Sequence, residues 1–176
     1  MNALIFVVDS LLMLAVFAFL LRLMLQVARA NFRNPLAQAV VRLTNWLVLP
    51  LRRVLPPIGR FDTASLVALV LVQLLRKLLV LSIAMGGVPD IAVLLQVSLV
   101  DLCLTVLQFY TFAIIIYALM SFVAGGGYNP AAALLGELCE PLLGPVRRIV
   151  PPLAGLDLSP VFVLIGLQAL RILLNG

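Results

Sequence analysis

Asparagine, proline, arginine and aspartate recur along this chain at one fixed interval. Asn34-Pro35 reappears as Asn129-Pro130, Pro50 as Pro145, and Arg52-Arg53 as Arg147-Arg148. Pro56-Pro57 returns as Pro151-Pro152, Asp62 as Asp157, and Gln73 with Arg76 as Gln168 with Arg171. The interval is 95 positions throughout, without a gap between Asn34 and Arg76. Chance matching among Leu and Val would not align polar and proline positions. A period this long therefore means two copies of one module, not a solenoid array. The first copy is assigned residues 1–89 and the second 90–176.

Each copy must fold in lipid. Hydrophobic residues make up 64% of the chain and charged residues 11%, with a mean hydropathy of +1.23. A soluble domain carries about 25% charged residues, so this surface could not be solvated by water. The chain reads as an integral membrane protein. Its net charge of +5 comes from eleven Arg and one Lys against seven acids, with most of the arginines placed between apolar runs. That pattern excludes direct nucleic-acid binding and points to anionic lipid headgroups, at about 1 kcal/mol per arginine near the surface.

The chemistry available is narrow. There is no histidine, which removes the commonest general base, transition-metal ligand and axial haem ligand together. Cys103 and Cys139 are isolated from each other and read as small apolar fillers. Gly125-Gly126-Gly127 lacks the Gly-Lys-Ser/Thr ending of a phosphate loop and reads as a hinge. The serines and threonines have no base partner. A non-enzymatic protein without cofactor or metal is expected.

Four apolar runs are candidates for membrane spans: Ala3 to Val27, Thr63 to Ala84, Ile91 to Val123, and Leu158 to Leu174. A full crossing takes about 20 residues, so the last is short. The first is expected to be a retained span despite Ala28-Arg29-Ala30, because its apolar run exceeds the ~7–15 residues of a signal peptide. Arg29, Arg33, Arg42, Arg52, Arg53 and Arg60 follow the first span, and Arg147 and Arg148 follow the third. The turn from Met85 to Asp90 holds no base. The positive-inside rule then places both motif loops in the cytoplasm and both termini outside. The two copies become parallel repeats about an axis along the membrane normal.

Each motif loop encodes a short amphipathic helix. Asn34 and Asn129 suit the N-cap, and Pro35 and Pro130 the first helical position. Leu36, Val40, Leu43 and Leu47 share a face opposite Gln38, Arg42 and Asn45, with Trp46 as an interfacial anchor. In the second copy Leu134, Leu135, Leu138 and Leu142 oppose Glu137 and Glu140, and Pro141 is expected to end the helix. Pro50 and Pro145 are expected to close each unit. Asp62 should cap the second span, while Ser159 competes with Asp157 for that role in the second copy. The predicted fold is all-α: four transmembrane helices as two tandem hairpins, each with a cytoplasmic interfacial helix.

The pattern N-P, then P-x-R-R-x-x-P-P-x-x-x-x-D, then Q-x-x-R between apolar spans resembles the YggT family of small bacterial membrane proteins, including the YlmG proteins and plastid relatives. The resemblance covers nearly the whole chain. It implies residence in the bacterial inner membrane and a role in tolerance of osmotic or envelope stress. Other branches imply organelle or cell division, nucleoid distribution, or maturation of a plastid cytochrome b6. Gly155-Leu156-Asp157-Leu158-Ser159-Pro160 is close to the usual form, whereas Arg60-Phe61-Asp62-Thr63-Ala64-Ser65 departs from it. That departure argues against equal roles for the two loops.

Two sets of residues are singled out. Gln73 with Arg76, and Gln168 with Arg171, stand at i,i+3 within spans, where ionisable groups are costly. With Asp9 and Asp101 they form a candidate polar seam between the repeats. The plainer alternative is that Arg76 and Lys77 snorkel to outer headgroups, Arg171 simply sits near the C-terminus, and the two aspartates are solvated at the interface. The second set is the motif itself. Arg52-Arg53 and Arg147-Arg148 are expected to fix topology, to bridge to Asp62 and Asp157, or to bind lipid headgroups or a partner membrane protein. Three functions stay open: an adaptor or organiser, with homo-oligomers plausible; an ion or solute conduit lined by the seam; and a membrane assembly factor.

Overall fold

The computed structural model describes residues 3–57, 62–123, 129–150 and 157–175. Pro151, Pro152, the Gly125-Gly126-Gly127 stretch, Arg60 and Gly155 lie outside the described residues. Every regular element within them is a helix: α1 at Ala3–Val27, α2 at Pro35–Val54, α3 at Thr63–Met85, α4 at Ile91–Val123, α5 at Pro130–Ile149 and α6 at Ser159–Asn175.

Three of these helices, α1, α3 and most of α4, are long and apolar enough to cross a membrane. At 1.5 Å per residue the 23 residues of α3 extend about 34 Å, just beyond a hydrocarbon core of about 30 Å. α6 has 17 residues and is the shorter apolar helix. Leucines and isoleucines stand exposed along all four, including Leu11, Leu14, Leu99, Ile116 and Ile165. Such faces match lipid as solvent, in which only helices and closed barrels satisfy their own backbone. The chain is an all-α membrane protein.

Asparagine starts both amphipathic helices. Asn34 Oδ1 accepts the Leu36 N–H at 2.9 Å, and Asn129 Oδ1 accepts the Ala131 N–H at 2.9 Å. The prolines expected to stop these helices do not. α2 runs through Pro50 to Val54, and α5 runs through Pro141 and Pro145 to Ile149. A proline removes one hydrogen bond and crowds the carbonyl four residues back, but burial can hold the helix across the defect. In α5 the buried face continues from Leu134 and Leu138 to Leu143, on both sides of Pro141. In α2, Thr44 and Val48 are buried ahead of Pro50, and Arg52 is tied down beyond it.

The helices gather into two compact units. One comprises Met1–Gln26 with Ala39–Cys103, and the other Val27–Gln38 with Leu104–Gly176. The first has its core at Val16, Phe19 and Leu20 of α1, Val48 of α2, and Ala68 and Leu69 of α3. The second buries Ile114 of α4, Leu138 and Leu143 of α5, and Leu167 of α6. In that unit the Asn34 side-chain amide donates to the Pro130 carbonyl at 2.7 Å, joining the starts of the two amphipathic helices.

Candidate functional site

Within the first unit, α3 carries Gln73, Arg76 and Lys77 to the middle of the membrane-spanning region, where their charges would be costly without partners. The partners come from α1 and α4. The Arg76 guanidinium forks onto Asp9, Nε to Oδ1 at 2.7 Å and Nη2 to Oδ2 at 3.2 Å. Its Nη1 reaches Asp101 Oδ2 at 2.9 Å. Lys77 Nζ donates to Asp101 Oδ1 at 2.6 Å, and Gln73 Nε2 donates to Asp101 Oδ2 at 2.8 Å. Two cations face two carboxylates, so the cluster is neutral as a whole. Arg76 and Gln73 are 5% and 1% exposed, which rules out snorkelling of Arg76 to the headgroups. Lys77 is likewise turned into the cluster.

The motif arginines make the second constellation. In the first unit Arg52 pairs with Asp62 through Nη2 to Oδ2 and through Nε to both carboxylate oxygens at 3.3 and 3.2 Å. Ser65 Oγ and Gln26 Nε2 add donors to Asp62 Oδ2 at 2.6 and 3.1 Å. Burial would raise the Asp62 pKa, but Arg52, Ser65 and Gln26 outweigh it and hold the carboxyl well below its usual range. Asp62 occupies the position before α3, yet its carboxylate does not cap the helix backbone; it is committed to Arg52. In the second unit Arg147 Nε meets Asp157 Oδ2 at 2.8 Å, and Nη1 meets Glu140 Oε2 at 2.7 Å. The Tyr117 hydroxyl accepts from Arg147 Nη2 at 3.2 Å. Asp157 Oδ1 also accepts the Ser159 N–H at 2.9 Å, so Asp157 fills the capping role for which Ser159 competed. The Asp157 carboxyl is lowered too: burial opposes this, and Ser159 and Arg147 prevail.

These two clasps sit at repeat-equivalent positions. The next arginine in each copy, Arg53 and Arg148, is exposed and in no ion pair among the described residues.

The sequence profile of the CCB3/YggT family matches residues 1–83 and 96–176. The chain belongs to the YggT family. It is 42% identical over 173 residues to an uncharacterized protein of Pseudomonas aeruginosa, covering 98% of this chain and 88% of the relative. Identity to an uncharacterized protein of Vibrio alginolyticus is 36% over 176 residues, covering 99% and 95%. Identity to the uncharacterized protein YggT of Escherichia coli K12 is 30% over 171 residues, covering 97% and 88%. No solved structure matches.

Of the proposed seam in this YggT-family chain, the structure brings together Asp9, Gln73, Arg76 and Asp101 inside one unit. Gln168 and Arg171 stand exposed on α6, and Arg171 joins no ion pair among the described residues. The asymmetry follows from composition: the repeat partners of Asp9 and Asp101 are Leu104 and Phe6, which offer no charge.

Sequence reasoning missed Arg22. It is 2% exposed, and its Nη1 donates to Thr44 Oγ1 at 2.7 Å, Asn45 Oδ1 at 2.9 Å and the Val41 carbonyl at 3.2 Å. A lone arginine inside an apolar run was the available signal. In the second copy the equivalents of Arg22 and Asn45 are Tyr117 and Glu140, and both attach to Arg147.

Cys139 is fully buried in α5, and burial pushes its thiol pKa up to about 11. At pH 8 the thiolate fraction is therefore small and the sulfur shielded. N-ethylmaleimide is expected to label Cys139 in folded protein at least tenfold more slowly than after denaturation. Equal rates read by intact mass would contradict this packing.

Proposed function

We propose that this protein is a non-enzymatic organiser of the bacterial inner membrane. It would serve osmotic and envelope stress tolerance by gathering anionic lipid at its two cytoplasmic motif loops. The observation carrying the proposal is the contrast between paired and unpaired arginines. Arg52 and Arg147 are consumed by Asp62 and Asp157, whereas Arg53 and Arg148 are left exposed at the ends of amphipathic helices. The clasp anchors the helix end, and the adjacent guanidinium remains available for a phosphate, which it can meet with two parallel hydrogen bonds. Trp46, 68% exposed with its ring edge-on to Phe19 at 6.1 Å, suits the same interface.

The intramembrane cluster supports this reading over a conduit. A conduit needs polar groups that can exchange partners along a wetted axis. Here Arg76 and Lys77 are already matched to Asp9 and Asp101. The cluster acts as a clamp joining α1, α3 and α4.

The expected result is a loss of phosphatidylglycerol retention in the Arg53→Gln/Arg148→Gln double variant. At ~1 kcal/mol per arginine the loss is roughly thirtyfold for two, measured as lipid adducts in native mass spectrometry. Tolerance of osmotic downshift should fall in parallel, with insertion unchanged. Unchanged lipid retention would sink the proposal. Solute flux from proteoliposomes that disappears in an Arg76→Gln variant of confirmed fold would replace it with the conduit.

A further inference from the structure

Within the first unit, α3 and the start of α4 pack against each other through one strip of side chains on each helix. Gln73, Leu74 and Lys77 of α3 face Ser98, Asp101 and Leu102 of α4. Gln73 Nε2 donates to the Ser98 carbonyl at 3.4 Å and to Asp101 Oδ2 at 2.8 Å, and Lys77 Nζ reaches Asp101 Oδ1 at 2.6 Å. Gln73, Leu74, Ser98 and Leu102 also line a common cavity of about 220 Å³.

The 95-residue interval repeats both strips on other helices. α6 carries Gln168, Ala169 and Ile172 where α3 carries Gln73, Leu74 and Lys77. α1 carries Ala3, Phe6 and Val7 where α4 carries Ser98, Asp101 and Leu102. Every residue of the α3–α4 strips is buried or half-buried, and every one of these equivalents is exposed.

The two exposed strips match each other. Where Lys77 meets Asp101, the cation and the anion are replaced together, by Ile172 and Phe6. Either change alone would set a charge against an apolar side chain, whereas both together leave an apolar pair. The glutamine is kept. Gln168 stands nine residues after Ser159 in the 17-residue α6, and hydrocarbon cannot satisfy its amide. Side chains of this kind draw membrane helices together, and small residues let the helices approach. The space over Gly166 is open, and Ala169 replaces the bulkier Leu74. Arg171, four residues before Asn175, lies nearer the helix end and can reach headgroups.

We propose that α6 of one molecule docks on α1 of a second molecule of this chain, repeating the α3–α4 contact between molecules. Gln168 donates to the Ala3 carbonyl as Gln73 does to that of Ser98, and Ile172 packs on Phe6. The expected topology, with both termini on one side of the membrane, sets both strips in the same leaflet. The contact joins two different faces. Each molecule therefore offers α6 to one neighbour and α1 to another, and the assembly closes as a ring or grows as a chain.

The test uses the full chain with Cys103→Ser, which removes the exposed thiol. A tagged molecule bearing Phe6→Cys and an untagged one bearing Ile172→Cys are reconstituted together in phospholipid vesicles and oxidised. The mixed disulfide dimer is expected to dominate, with loss of both like dimers, because the contact is head-to-tail. Leu14→Cys, exposed but about two turns beyond Phe6 on α1, should lose the mixed dimer with Ile172→Cys. Energy transfer between labelled molecules reads association separately. Gln168→Leu should weaken it about threefold. Ile172→Lys should weaken it about tenfold, by setting an ammonium against Phe6. Adding Phe6→Asp restores the pairing of Lys77 with Asp101 and should recover most of that loss. Should the double variant not insert, the cysteine pairs decide alone. Equal amounts of mixed and like dimers would overturn the proposal, as would Leu14→Cys reacting as well as Phe6→Cys. So would the absence of energy transfer, undiminished association of Ile172→Lys, or no recovery in an inserted double variant.

Discussion

Arg76→Gln is expected to cost about 3 kcal/mol of stability, the lower end of the 3–5 kcal/mol seen when one partner of a buried ion pair is removed. The low end applies because only Asp9, and not Asp101, loses its cation. Asp101 retains Lys77 and Gln73. The principal loss is the fork between Arg76 and Asp9, the contact that links α1 to α3 in the cluster. Arg76→Lys should recover only part of the loss. A single ammonium cannot make the two parallel bonds to Asp9 while also reaching Asp101. Adding Asp9→Asn to Arg76→Gln removes the orphaned carboxylate and should restore more than either change predicts alone, a coupling that a double-mutant cycle would read. Arg171→Gln is the internal control. It is repeat-equivalent but exposed on α6 and in no ion pair among the described residues, so its loss strands no buried carboxylate. Urea unfolding in mixed micelles provides the comparison. Equal stabilities for Arg76→Gln and Arg171→Gln would remove the basis for the clamp.

What was legible in the sequence was whatever repeated or alternated. The spans followed from apolar run length, and the N-caps from Asn-Pro ahead of an amphipathic pattern. The pairing of Arg52 with Asp62 and Arg147 with Asp157 was anticipated because both members recur at the same spacing. Features that broke the repeat were harder. Asp9 and Asp101 were visible as intramembrane charges, but the repeat gave no sign of which arginine each would meet. Both converge on Arg76. Arg22 was hidden by the strength of the surrounding apolar signal, and its partners Thr44 and Asn45 lie more than twenty residues away on α2. Nothing in local pattern links them. Pro141 misled for a related reason. Proline is a local helix breaker, whereas the burial that carries α5 past it is tertiary. The cavity beside Gln73 and Ser98 has no linear signature at all, since it depends on how two helices meet.

Asp62→Ala should destabilise the chain by about 3 kcal/mol, while Asp157→Ala should cost less than about 1 kcal/mol, although the two aspartates are the same motif position. The difference is burial. Asp62 is 6% exposed and serves Arg52, Ser65 and Gln26, so its removal strands several polar groups away from water. The Asp157 side chain is 38% accessible, and Arg147 keeps Glu140 and Tyr117 when it is lost. The pH dependence gives an independent reading. The folded Asp62 carboxyl lies well below the ordinary value of 3.8. A depressed folded pKa gives stability that is fully present above the unfolded value and is lost as pH falls toward the folded one. The stability gap between wild type and Asp62→Asn should therefore hold constant from neutral pH to about pH 5, then narrow below 3.8. Closure should remain incomplete at about pH 2.5, because the folded carboxyl is still largely ionised there. Thermal unfolding of both proteins in the same micelles across that range makes the comparison. A gap that stays constant down to the lowest pH would mean that Asp62 stabilises by shape and neutral hydrogen bonds. The Arg52 ion pair would then no longer be the element that anchors the end of α2.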